Sequence, residues 1–214
     1  MITLQQLKDI MPSSGMRASI YLKPLNDAMD ACEISMNVKR VICFLAEVGH
    51  ESGDLLYSAE IWGPAQVPVQ AGYKNRMGNN KPEAIAIAQA NGEADPGKYF
   101  RGYGPIQVTG FDNQCQVADH FGVSHGQMVP WLRTPEGGCK ASAYFWQSHG
   151  LNELADTDNW DSVADEFDAM SDIINRGHRT PRLGDSNGWL DRLAHYERAK
   201  KVLMFSDVRA GVIK

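Results

Sequence analysis

The sequence predicts a predominantly helical α+β protein, on three observations. Apolar residues recur at helical spacing through most of the chain, and capping and stop signals bracket those stretches. One glycine-rich stretch, Gly97 to Gly110, instead alternates bulky and small residues as a short hairpin does. With 214 residues, 43% of them hydrophobic and 22% charged, the chain is long enough for a substantial core. A globular chain of this size buries on the order of 70% of its unfolded surface. No repeat or low-complexity segment interrupts it, so residues 1–214 are expected to form one domain.

Thr3 and Gln6 have the spacing of a capping box, Leu4, Leu7, Ile10 and Met11 follow at helical intervals, and Pro12 supplies the stop. Ser35 is placed to cap a second helix whose apolar positions are Val38, Val41, Ile42, Leu45 and Val48, with Gly53 just past its end. That helix delivers His50 and Glu51 in its last turn. From Ile61 to Lys81, Pro64, Pro68, Gly72, Gly78 and two adjacent asparagines break any period, which predicts a long loop, and loops of this length are often functional. Pro82 and Gly92 bracket one further helix. After the hairpin, helices are expected near 112–121, 125–132, 135–149, 161–174 and 188–203, with Thr134-Pro135 and Gly150 marking one start and stop.

The net charge of -5 argues against a nucleic-acid partner, since phosphate backbones select basic surfaces. The longest strongly apolar run, Val41 to Ala46, is far below the roughly 18 residues of a membrane span, so no stable membrane insertion is expected. The opening residues show no secretory signal pattern. Cys32, Cys43, Cys115 and Cys139 are widely spaced without a CxxC pair, which fits reduced, buried thiols better than a zinc site or a disulfide scaffold. After Trp189 six basic residues stand against three acidic ones, enough for weak contact with an anionic outer-membrane surface, although a solvated helix face is the plainer reading.

Glu51 and Glu60 lie nine residues apart, one at a helix end and one where the chain turns irregular. Such a pair can face each other across a cleft, as glycosidic hydrolysis requires: one carboxyl donates a proton to the leaving oxygen and the other activates water. The zinc-protease pattern H-E-x-x-H fails, because Asp54 occupies the second histidine's position. No metal site and no cofactor are indicated. In FRGYGPIQVTGFDN, the polar Gln107, Thr109 and Asn113 stand among apolar residues, and on a strand Gln107 and Thr109 would share one face. An amide and a hydroxyl so placed can hold a water and a sugar acetamido group.

Three ordered blocks, AEVGHESGDL, FRGYGPIQVTGFDN and INRGHRTPRLGDSNGWLDRLAHY, resemble the signature blocks of family-19 glycoside hydrolases, the plant-type chitinases and their bacteriophage endolysin branch. YKNRMGN and HGLNELAD resemble connecting segments of the phage branch, so the similarity runs from about residue 35 to 203. The resemblance implies a lysozyme-like, two-lobed domain with the hairpin at the active-site cleft. It implies that Glu51 is the general acid, Glu60 the general base and Thr109 a holder of the attacking water. It further places His50 beside the acid, Arg192 near it in the R-x-x-x-Y block that ends at Tyr196, and Gln107, Asn113 and Asn175 against the N-acetyl sugar. The chain departs from the family's N-G-G at Asn175-Arg176-Gly177, and HRTPRLGDS precedes Asn187-Gly188, which alters that wall of the cleft.

Inverting hydrolysis follows from the resemblance, with the two carboxyls roughly 6.5 to 9.5 Å apart. Donation by Glu51 near neutral pH calls for an apolar setting, for which Leu55, Leu56 and Trp62 are candidates. The phage branch implies a monomeric endolysin made in the host cytoplasm, released by a holin-type lesion to the periplasm, where it cuts peptidoglycan between N-acetylmuramic acid and N-acetylglucosamine. Three alternatives stay open: a chitinase, a lytic transglycosylase that forms anhydro ends without water, and a glycan-binding virion protein that has lost turnover.

Overall fold

The computed structural model describes residues 1–63, 67–156 and 163–209. The chain divides into two compact units, Met1–Leu56 with Ala143–Lys214, and Tyr57–Ser142. Both are built from helices: α1 Leu4–Ile10, α2 Arg17–Ala31 and α3 Val38–Ser52 open the first. The second holds α4 Val67–Gln70, α5 Pro82–Ala90, α6 Pro96–Tyr99, α7 Phe111–His120 and α8 His125–Leu132. Next, α9 Pro135–Ser148 runs through the boundary, and α10 Leu151–Ala155, α11 Val163–Arg176 and α12 Trp189–Arg209 complete the first unit. No helix among the described residues is long and apolar enough to cross a membrane.

The first unit is organised around α3, which is buried without a break from Val41 to Gly49 and packs along α12. Phe44 meets Trp146 of α9 edge-on with ring centroids 5.6 Å apart. The Trp146 indole N–H donates to Asn152 Oδ1 at 2.9 Å, and Asn152 donates onward to the Cys32 carbonyl, so the buried polar tip is satisfied. The capping box at Thr3 and Gln6 forms as expected. The cap of α3 is Asn37, not Ser35, because Ile34–Met36 closes a 3-10 turn first and the Asn37 side chain accepts from Lys39 N. Helix α2, which the sequence reading passed over, carries Pro24 internally and buries Ala18, Tyr21, Leu25, Ala28 and Met29.

In the second unit Phe100 and Phe111 pack at 5.1 Å with Ala84, Ala88, Val117, Met128 and Leu132 buried in the same core region. The expected loop between Ile61 and Lys81 is in part α4 and a 3-10 turn at Tyr73–Asn75. The expected hairpin contracts to isolated antiparallel bridges, Ala59 to Tyr103 and Tyr103 to Val108. Gln107 lies in the turn between Tyr103 and Val108 with φ +62, so it and Thr109 are not alternate residues of one strand. The buried amide of Gln114 donates to the carbonyls of Phe100, Arg101 and Val108, which pins this turn from beneath. The four cysteines are free thiols, and all but Cys115 are buried.

Candidate active site

The eight residues singled out from the sequence fall into two clusters, four in each unit. In the first, the last turns of α3 project Glu47, His50 and Glu51, and α12 supplies Asp191 and Arg192. Arg192 is 1% exposed, and its Nε donates to the Asn187 carbonyl at 3.0 Å. One terminal nitrogen of its guanidinium donates to Glu47 Oε2 and the other to Glu51 Oε1. Glu51 keeps 18% of its side chain exposed, whereas Glu47 is fully buried. Of the apolar residues expected around Glu51, Leu55 is buried, whereas Leu56 is 52% exposed.

Burial pushes the Glu47 carboxyl up to about 7 against the pull of Arg192 and of the Ser171 hydroxyl, which donates to it at 2.6 Å. The pKa of His50 is held below the ordinary histidine range by burial and by Arg192, although Asp191 Oδ2 sits 2.7 Å from its Nδ1. The His50 ring packs against Gly188, where φ is +73 and a Cβ would fall 2.2 Å from Cε1, so only glycine fits. Asn175 Oδ1 accepts from the Asn187 backbone N–H, which places Asn175, Asn187, Arg192 and Glu51 in one hydrogen-bonded chain. The buried Arg192 is thus linked to the part-exposed Glu51 and to the exposed Asn187.

The loop after Asn175 is held by three aspartates. Asp172 Oδ2 accepts from both the N–H and the hydroxyl of Thr180, Asp168 accepts from Gly184 N, and Asp185 accepts from Arg176. These aspartates hold the loop's backbone, Thr180 and Arg176, while His178, Arg179 and Arg182 point to solvent.

In the second unit Glu60 is held by uncharged donors. Its Oε1 accepts from the Gln70 amide at 3.0 Å and the Tyr73 hydroxyl at 3.3 Å, and its Oε2 accepts from Gly102 N at 3.2 Å. This pattern suits an acceptor-only carboxylate. Burial, with Glu60 beside it, pushes the Tyr73 phenol up to about 12, so it remains a donor. At Gly102 a Cβ would lie 2.8 Å from Gln107 Oε1 and 3.0 Å from Thr109 Oγ1, so the bare backbone lets the turn close onto Glu60's support. The Thr109 hydroxyl donates to the Gln107 carbonyl, and Asn113 donates to the Thr109 carbonyl at 2.8 Å. Glu60, Gln107, Thr109 and Asn113 are thereby brought together by the turn, without the strand face first expected.

Sequence reasoning missed Glu47, Asp191, Gln70 and Tyr73. For Glu47 a signal existed: an acid inside the apolar run of α3, one helical turn before Glu51, has to be paired.

Among solved structures, chitinase C from Streptomyces griseus matches 94% of this chain and 76% of its own, with a TM-score of 0.62 at 19% identity. A point mutant of chitinase C matches over the same shares and with the same TM-score at 18% identity. The two folds are the same. No family model matches the sequence, and no curated protein matches it. The predominantly helical fold expected from the sequence is thus the observed one and is shared with a chitinase, with the hairpin reduced to isolated bridges.

Proposed function

We propose that the chain is a glycosidase that hydrolyses the β-1,4 bonds between N-acetylmuramic acid and N-acetylglucosamine in bacterial peptidoglycan, as a phage endolysin does. The observation that carries this reading is Glu51 presented at the end of α3 on a buried arginine, within a fold shared with a chitinase. In the proposed mechanism Glu51 gives its proton to the leaving glycosidic oxygen as the C–O bond breaks. Glu60 takes a proton from the attacking water, which Thr109 helps to hold, and the anomeric carbon inverts. His50, Gln107, Asn113 and Asn175 contact the sugars, and no metal or cofactor enters a step.

Two observations favour particular versions of this reading. Glu60 with its three neutral donors, and Thr109 packed against the Gly102 backbone that supports it, favour activation of water over the anhydro-forming route of a transglycosylase. The outward His178, Arg179 and Arg182 suit the carboxylates of peptide stems, which chitin lacks. A chitinase remains the second reading, because the matching solved structures are chitinases. In the endolysin reading the protein accumulates in the host cytoplasm and meets the wall in the periplasm after a holin-type release.

Mass spectrometry of soluble fragments released from Gram-negative peptidoglycan tests the proposal, with Glu51→Gln and Glu60→Gln proteins alongside. Reducing N-acetylmuramic acid ends, lost in both variants, are the expected result. Anhydro ends would overturn the hydrolytic step, and release from chitin oligomers alone would overturn the substrate.

A further inference from the structure

Two carboxyls compete for one buried cation in the first unit. The guanidinium of Arg192 is fixed by the Asn187 carbonyl and can neutralise only one full negative charge, yet Glu47 and Glu51 both accept from it. With both carboxyls ionised, the triad carries a net negative charge beside a fully buried side chain, which a low-dielectric interior disfavours. A single proton makes the group neutral, and either carboxyl can carry it.

The groups facing Glu47 are few. On α12 there is Arg192, on α11 the Ser171 hydroxyl, and on α3 itself Glu51 and the Cys43 thiol. Burial raises the Cys43 thiol well above its ordinary range, so it stays neutral and supplies no counter-charge. Arg192 is thus the sole cation at Glu47 among the described residues, and it is shared with the carboxyl assigned to protonate substrate.

We infer that Glu47 is the proton partner of Glu51: the two share one proton across Arg192, and Glu47 positions that proton for catalysis without touching substrate. This deepens the proposed function and rests on Glu51 being the acid. When the exposed edge of Glu51 faces water, Glu51 is the better anion, and the proton resides on the buried Glu47. Substrate that covers Glu51 strips its water, which moves the proton to Glu51 and leaves Glu47 as the anion on Arg192. Donation then breaks the Glu51 O–H bond, forms the O–H of the leaving alcohol, and leaves Glu51 ionised. Bulk water restores the proton to the pair.

Removal of Glu47's charge assigns Arg192 wholly to Glu51 and holds the acid ionised. In Glu47→Gln the alkaline limb of the kcat profile on peptidoglycan is expected to move about one pH unit to the acid side, the coupling typical of an interacting pair. At pH 7 kcat falls roughly tenfold, as one unit implies, with KM within about twofold. Ser171→Ala removes a donor to the Glu47 anion, so it moves the same limb in the same direction by less. It also keeps the test open should Glu47→Gln fail to fold. A kcat loss equal at every pH, or an unmoved limb in both variants, would mean Glu47 is only structural.

A second readout needs no turnover. In protein labelled with 13C at the glutamate carboxyls, the signal missing from Glu47→Gln is followed against pH in wild type and in Glu51→Gln. Loss of the competing Glu51 charge is expected to lower the Glu47 midpoint by about one unit, and an unchanged midpoint overturns the inference. Should that midpoint move while no glycan is cleaved, the shared proton stands and the proposed function falls.

Discussion

In the first unit Glu51 rests on a guanidinium that is itself 1% exposed, whereas in the second Glu60 is held by an amide, a phenol and a backbone N–H. Both carboxyls are part-buried, but the forces that orient them differ. A charge partner fixes Glu51 while tying it to every other ionisable group within reach, here Glu47 and His50. Neutral donors fix Glu60 by direction, and Tyr73, the ionisable group among them, is pushed up to about 12 and stays uncharged. A proton donor benefits from an environment that trades protons, and a base that must aim a water benefits from rigid geometry.

The comparison breaks most visibly at the carboxyls themselves. Glu51→Gln and Glu60→Gln should each lower kcat by about 10²- to 10⁴-fold in release of reducing ends from peptidoglycan, the usual worth of a general acid or base. Near-wild-type turnover in either would remove it from the mechanism. Next comes stability. Arg192→Leu strands a buried carboxyl and should destabilise the fold by about 3–5 kcal/mol in urea unfolding. Tyr73→Phe deletes one hydrogen bond from an uncharged donor in the second unit and should cost about 1 kcal/mol. Equal losses would mean that Arg192 is not the keystone its burial implies. Gly102→Ala tests geometry without charge: its methyl displaces Gln107 and Thr109, and turnover should drop by about 10- to 100-fold with the pH profile unmoved. A shifted profile would show that the methyl acts through charge and not through geometry.

Much of this organisation is legible in the sequence because local signals act locally. Thr3 and Gln6 announce a cap, Pro82 starts α5, and the period of Val38 to Val48 identifies the buried face of α3. Helix α2 was hidden by Pro24, which reads as a breaker although Tyr21, Leu25, Ala28 and Met29 keep helical spacing around it. The turn at Gln107 was misread because period-two alternation cannot report a positive φ, and three hydrogen bonds from Gln114, seven residues on, keep the turn closed. In the site, family-like blocks pointed to His50, Glu51, Glu60, Gln107, Thr109, Asn113, Asn175 and Arg192. Glu47, Gln70 and Tyr73 needed the fold, since their relevance comes from which partner a distant segment brings: Arg192 from α12 for the first, Glu60 for the others.

The smallest expected effects come from two histidine clamps, one in each unit. Burial disfavours charge on His195, but its hydrogen bonds to Asp54 and to the Asp191 carbonyl outweigh it, and its pKa is raised. Burial likewise works against the Asp54 anion, yet His195 and the Ser13 N–H hold its pKa below the ordinary range. In the second unit Glu83 and Asp119 raise His125, whose side chain is 29% exposed. A raised histidine pKa gives stability that is complete below the unfolded value of about 6.5 and is lost as pH rises through the folded value. The lowered Asp54 adds stability above its unfolded value of about 3.9, which is lost as pH falls through the folded one. The Tm difference between wild type and His195→Gln should therefore be largest at about pH 5.2, midway between those two values, and should shrink toward about pH 8.5. His125→Gln should show the same sign with a smaller amplitude, and about 1 M salt should erase most of it while leaving the His195 effect, because screening acts on exposed pairs. A difference that grows with pH in the first unit, or equal salt sensitivity in both, would contradict the contrast between a buried charged clamp in the first unit and an exposed one in the second.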